Sequence, residues 1–290
     1  PLDESGRFAS FEVLQEAPAD YPTLRTHRIA IGLYNLVDGA LTRTKRVELD
    51  ISGSRTAVPE LVGEAQPDLV LINDDDLTYA KIRLDERSLR TIVDGGIARF
   101  DESLPRALCW SAAWDMTRDA EMATRDYVRL VVRGIHSVTD LTVLQTVLRQ
   151  ARQAVQQYAD PAWRAEGLAI LADRLRELIA EAEPGSDFQL AYVNAFAGVA
   201  VREQDLAFLR GILDGTDVPE GLVVDADLRW TLTHALVSGG VLGEADIAAE
   251  LERDRTATGE RSAAMCRAAI PTPEAKEAAW ATIVGGGLSG

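Results

Sequence analysis

The chain has 290 residues, 47% hydrophobic and 26% charged, a globular balance that excludes wholesale disorder and leaves room for about two domains. Its 30 basic side chains against 46 acidic ones give a formal charge of −16, which repels phosphate, so neither nucleic acid nor an anionic membrane is an expected partner. No apolar run nears the roughly 20 residues that span a bilayer, and two cysteines, Cys109 and Cys266, suit neither a disulfide framework nor a metal knuckle, so a reducing cytoplasm is the expected compartment.

Phe11 and Val13 supply a possible first strand within a leading stretch, residues 1–25, that reads as a linker. From Thr26 to about Asp85 the period is two. Ile29, Ile31 and Leu33 alternate with Ala30, Gly32 and Tyr34, giving an extended segment with an apolar face. Asp38-Gly39 is the preferred pair for a tight hairpin, and Val47, Leu49 and Ile51 form the half-buried return strand. Ala57-Val58 before Pro59 reads as a short edge piece. Leu69–Ile72 suits a buried strand, and Asn73 to Asp76 a turn. Thr78, Ala80, Ile82 and Leu84 alternate with Tyr79, Lys81 and Arg83 as a further strand. Residues 26–85 are therefore expected to form a small antiparallel β-sandwich.

Beyond Asp85 helical periodicity takes over. Leu141, Leu144, Leu148, Ala151, Val155 and Tyr158 share one stripe, as do Leu168, Leu171, Leu175 and Leu178. Leu206, Leu209 and Leu213, and then Leu228, Leu232, Ala235 and Leu236, repeat the pattern. Asp160-Pro161 reads as a cap with proline at the first helical position. Breakers between the stretches divide residues 86–290 into roughly ten helices with short loops, a layout suited to a HEAT-like superhelix. The fold class is thus α+β and multidomain. The start at Pro1, the Gly285-Gly286-Gly287-Leu288-Ser289-Gly290 tail and an apolar last helix (Trp280, Ile283, Val284) are read as cuts in a longer polypeptide, with the helical domain truncated at its C-terminus.

Chemistry is sparse. His27, His136 and His234 have no metal-ligand neighbours at the usual spacings. His234 shares a helix face with Trp230 and reads as a packing residue, while His136 at a helix end meets the dipole. Asp74-Asp75-Asp76 lacks calcium-loop spacing and reads as turn chemistry. Trp110, Trp114 and Cys109 read as core. Arg125, Arg129 and Arg133 recur every four residues as a basic stripe able to hold a carboxylate, although Glu121, four residues before Arg125, also fits ordinary helix-surface pairing. The glycine tail has no Lys-Ser/Thr after it and makes no phosphate loop. No catalytic residue, metal ligand or resident cofactor is assigned to any position.

Phe11-Glu12-Val13-Leu14-Gln15-Glu16-Ala17 and Pro22-Thr23-Leu24-Arg25-Thr26-His27-Arg28-Ile29-Ala30-Ile31-Gly32-Leu33-Tyr34 resemble the region just after the catalytic domain in bacterial aminopeptidase N enzymes, most of all the actinobacterial branch. Val70-Leu71-Ile72-Asn73 with Tyr79 to Asp85, Leu104-Pro105-Arg106-Ala107-Leu108-Cys109-Trp110, and Trp230 to Leu236 extend the resemblance over most of the chain. Where family members more often read Gly-Tyr-x-x-x-Tyr-Asp, this chain has Leu77-Thr78-Tyr79 through Leu84-Asp85. The resemblance implies a zinc aminopeptidase whose ligands, base and amine-binding segment lie upstream, in a part not represented here. It implies for this chain a spacer sandwich and an ERAP-type helical superhelix that covers the active site, admits peptides and excludes folded proteins, with Arg125, Arg129 and Arg133 as candidate substrate-binding residues. The partners implied are the upstream catalytic domain and peptide substrates. An autonomous protein- or peptide-binding module of the same two parts is the alternative, and a small hydrolase using Asp74–Asp76 with a divalent ion a third possibility.

Overall fold

The computed structural model describes residues 1–285; the Gly286–Gly290 part of the tail lies outside them. The chain forms two compact units, Pro1–Val143 and the part from Leu144 onward.

In the first unit β1 (Glu12–Leu14), β2 (His27–Val37), β3 (Ala40–Ile51), β4 (Arg55–Ala57) and β5 (Leu69–Asp74) pair antiparallel throughout. They make a two-stranded sheet, β1-β4, and a three-stranded sheet in the order β3-β2-β5. The β2–β3 hairpin turns at Asp38 (φ 51°) and Gly39 (φ 89°), both in the positive-φ region a two-residue hairpin loop demands. Its register sets Ile29 opposite Leu49 and Ile31 opposite Val47. Ile29, Ile31, Leu33, Val47 and Ile51 then share one core with Phe8, Val13, Val58 and Leu61, so one apolar face of the larger sheet is closed by the smaller sheet and the Pro59–Leu61 turn. Burial of each such side chain contributes about 1.5–3 kcal/mol.

The other face of β2 is buried as well, which alternation alone does not show. Ala30 and Tyr34 are inaccessible, and Tyr34 meets the Phe100 ring edge-on at 5.3 Å.

The expected strand over residues 78–84 does not form. After β5, Asn73, Asp75 and Asp76 take φ values of 57°, 68° and 55°. Asn73 then clamps the chain: its Nδ2 donates to the Thr78 carbonyl at 2.8 Å and its Oδ1 accepts the Thr78 N–H at 3.1 Å. Beyond the clamp Ile82 and Leu84 sink into the unit, whereas Lys81 and Arg83 are drawn to Asp119 and Arg83 also to Glu121. The side-chain alternation holds from Lys81 to Leu84, whereas Ala80 is exposed, and no neighbouring strand supplies a ladder.

Three helices complete the unit: α1 (Glu86–Val93), α2 (Ser103–Arg118) and α3 (Thr124–Gly134). Asp85 caps α1 by accepting the N–H groups of Arg87 and Ser88 at 3.0 and 3.1 Å. Trp110 and Trp114 are core residues, the latter 5.6 Å from the Tyr127 ring.

α4 (Leu141–Gln153) leads into the second unit. There α5 (Arg164–Glu181), α6 (Asp187–Ala197), α7 (Glu203–Asp214), α8 (Ala226–Ser238), α9 (Glu244–Arg253), α10 (Ala257–Ala269) and α11 (Pro273–Val284) follow with short loops. Ser186, Asp225, Thr256 and Thr272 cap α6, α8, α10 and α11 with their side-chain oxygens. The Leu168, Leu171, Leu175 and Leu178 stripe is buried as its spacing requires.

Two segments depart from the local sequence pattern. Asp160-Pro161 forms a turn rather than a helix start: Asp160 Oδ1 accepts the Ala162 N–H at 2.8 Å, and α5 begins at Arg164. Tyr158 leaves the α4 stripe because residues 154–158 wind as a π-helical turn, which rotates it outward to 43% exposure while Val155 stays buried.

Candidate functional site

Arg125, Arg129 and Arg133 stand together on the exposed face of α3, opposite the buried Tyr127, Val128, Leu130 and Val131. That geometry follows from the four-residue spacing, which advances slightly more than one turn. Arg129 pairs with Asp126 at 3.2 Å and Arg133 with Asp94 at 2.9 Å. Such exposed pairs are worth at most about 1 kcal/mol, so both guanidinium groups can exchange their partner for an incoming carboxylate. Glu121 precedes the first residue of α3 and lies 2.5 Å from Arg83 Nε.

The acidic run behaves differently from a cation site. Asp74, 1% exposed at the end of β5, accepts the Tyr34 hydroxyl at 3.0 and 3.1 Å and Arg43 Nη1 at 2.9 Å. Arg43 also reaches Asp75 at 2.7 Å, and Arg46 bonds Asp75 at 2.6 Å and Glu48 at 2.7 Å. Hydrogen bonds from Arg43 and Arg46 hold the Asp75 carboxyl below its ordinary range. Burial, reinforced by the Asp74 charge, pushes the Tyr34 phenol up. Gly32 lies directly beneath this network: a Cβ there would stand 2.2 Å from Asp74 Oδ2. These carboxylates are thus neutralised by the sheet's own arginines. The sequence signal, in retrospect, is a glycine and a tyrosine two apart on one strand face, with basic residues on the returning strand.

The histidines are apart from one another. His27 Nδ1 lies 2.7 Å from Thr78 Oγ1. His136 is exposed in the turn after α3. His234, half-buried on α8, is held below its usual value by burial and then by Arg152 and Lys276, an environment opposite to that of a metal ligand braced by a carboxylate. Among the described residues no three His, Cys, Asp or Glu side chains are grouped as a metal site. The donors present among the described residues do not fit zinc. Burial raises both thiols, that of Cys266 to about 11, so neither is a ready nucleophile.

Residues 69–289 match the family described as ERAP1-like C-terminal domain. The chain is also similar to an aminopeptidase N of Streptomyces lividans, 51% identical over 290 residues, which is 97% of this chain and 34% of that protein. The chain thus spans about a third of the length of the curated relative it matches. With a match covering most of its length, from β5 through the last helix, the chain belongs to the ERAP1-like C-terminal domain family.

Proposed function

We propose that this chain is the non-catalytic C-terminal portion of a zinc-dependent aminopeptidase N that removes N-terminal residues from peptides in the cytoplasm. The observation that carries the reading is the 51% identity to an aminopeptidase N over 97% of the chain. Zinc, its ligands and the general base belong to the preceding catalytic portion. In this reading residues 1–25 are the connection, which lends β1 to the shared core, 26–85 a β-sandwich spacer and 86–290 a HEAT-like superhelix. The two small sheets over one core support the sandwich, and the run of capped helices with short loops supports the superhelix. The superhelix covers the active-site chamber, so that peptides enter and folded proteins do not.

Arg125, Arg129 and Arg133 serve the substrate's carboxylate. All three guanidinium groups are exposed on one helix face, and bidentate recognition is the chemistry they are built for.

The test has two parts. The purified chain is expected to carry no stoichiometric zinc and to cleave no aminoacyl anilide; one tightly bound zinc per chain, or turnover, overturns the assignment. In the parent enzyme, replacing the three arginines with glutamate is expected to raise KM for peptides several-fold while anilide kinetics stay unchanged. An unaltered peptide KM removes the arginine role.

A further inference from the structure

The segment joining β5 to α1 is chemically unfinished. Among the described residues, the backbone N–H groups of Tyr79 through Leu84 meet no protein acceptor. The segment is nonetheless held in place. His27 fixes Thr78 from β2, the Asn73 side chain bonds both Thr78 backbone groups, and Asp119 and Glu121 anchor the side chains of Lys81 and Arg83. Tyr79 is fully exposed and Leu77 is 43% exposed. Gln15 Nε2, bonded to the Arg25 carbonyl at 3.0 Å, brings the end of β1 alongside the start of β2, and there Leu14 and Leu24 are uncovered too. A run held by its side chains outside any ladder, with unpaired N–H groups and an exposed leucine and tyrosine, is the kind of segment that native proteins cover.

We propose that residues 77–84 are the edge on which the preceding, catalytic portion of the parent polypeptide docks, adding an extended segment to the free N–H groups and covering Leu77 and Tyr79. The proposal rests on the proposed function. The chain spans 34% of the aminopeptidase N it matches, so about two thirds of such a polypeptide folds outside it. Covalent attachment favours that occupant, because a tethered partner binds at high effective concentration through a small contact. A second copy of this chain would need about 800 Å² from each partner, far more than eight residues and two side chains offer. Main-chain pairing along an exposed edge is an established recognition mode.

The experiment is amide hydrogen exchange on the 290-residue chain and on the full parent polypeptide. In the chain alone, the amides of residues 79–84 should exchange at rates close to those of an unstructured peptide. In the parent the alternate amides that face the added segment should slow by about a hundredfold or more, the others less. Ala80→Pro, which deletes an N–H unpaired here, and Tyr79→Ser should each leave the unfolding midpoint of the chain alone unchanged and lower that of the parent. Equal, fast exchange in both samples, with a parent that cleaves peptides, overturns the docking edge and leaves the proposed function standing. A parent without aminopeptidase activity overturns that function, and the exchange data still judge the edge. Slow exchange already in the chain alone, with a dimer by light scattering, assigns the edge to a second copy and overturns the proposal.

Discussion

Gly32 is held by sterics rather than by an unusual backbone angle, and this makes Gly32→Ala a sharp probe of the buried face of β2. The new Cβ would lie 2.2 Å from Asp74 Oδ2 and 2.7 Å from the Tyr34 ring. β2 is the centre of its sheet, hydrogen-bonded on both sides, so the strand cannot back away. The Asp74 carboxylate must move instead, and moving it strains the bonds from Tyr34 and Arg43. Overpacking costs about 1–3 kcal/mol, and a hydrogen bond to a charged group is worth about 1.5–3 kcal/mol. Alanine recovers about 0.4–1 kcal/mol through the unfolded chain, leaving a net loss of about 2–5 kcal/mol. Asp74→Ala alone leaves the Tyr34 hydroxyl buried without its acceptor, a loss of about 1–3 kcal/mol, yet it vacates the space the new methyl needs. The double variant should therefore be more stable than the sum of the singles by at least about 1 kcal/mol. Urea unfolding followed by tryptophan fluorescence measures all three. A loss below about 0.5 kcal/mol for Gly32→Ala, or strict additivity in the cycle, would refute the packing argument.

In the second unit, Arg229→Ala should destabilise by about 3–5 kcal/mol in urea melts, because it strands the nearly inaccessible Glu250 that Arg229 holds at 2.7 and 2.6 Å; Arg229→Met should lose nearly as much, and recovery by methionine would point to lost packing rather than a stranded charge. His234 should make stability fall as pH drops below about 6.5, since its folded value is depressed and the unfolded chain binds the proton more readily. The window opens at the unfolded value and closes below the folded one, and His234→Gln should flatten the midpoint-against-pH curve there. Trp280→Ser should shift stability by less than about 0.5 kcal/mol, because α11 buries none of its residues; a larger loss would mean that Trp280 packs within this chain.

The fold was readable where one period governed a whole element. The hairpin announced itself through Asp38-Gly39 between alternating runs, and α5 through four leucines on one stripe. It was unreadable where the outcome depended on a partner. Thr78 to Leu84 alternates as faithfully as β2 does, but alternation describes side chains and says nothing about whether a neighbouring strand exists to take the N–H groups. Tyr158 shows the complementary failure: one π-helical turn rotates everything after it, and no composition signal marks the extra residue.

The same distinction explains what the site allowed. The arginine stripe was legible because helix geometry converts spacing into a face, and α3 does present Arg125, Arg129 and Arg133 together. The Asp74 network joins residues 31 and 40 positions apart, Arg43 and Tyr34, through a sheet register that must be known before the contact can be seen. Read locally, three consecutive aspartates suggest a turn or a cation. Read through the register, two of them are counter-ions for β3, and Gly32 is small because one of them lies above it. A run of like charges therefore acquires its meaning from the strand it faces, and in this chain that strand carries the opposite charge at Arg43 and Arg46.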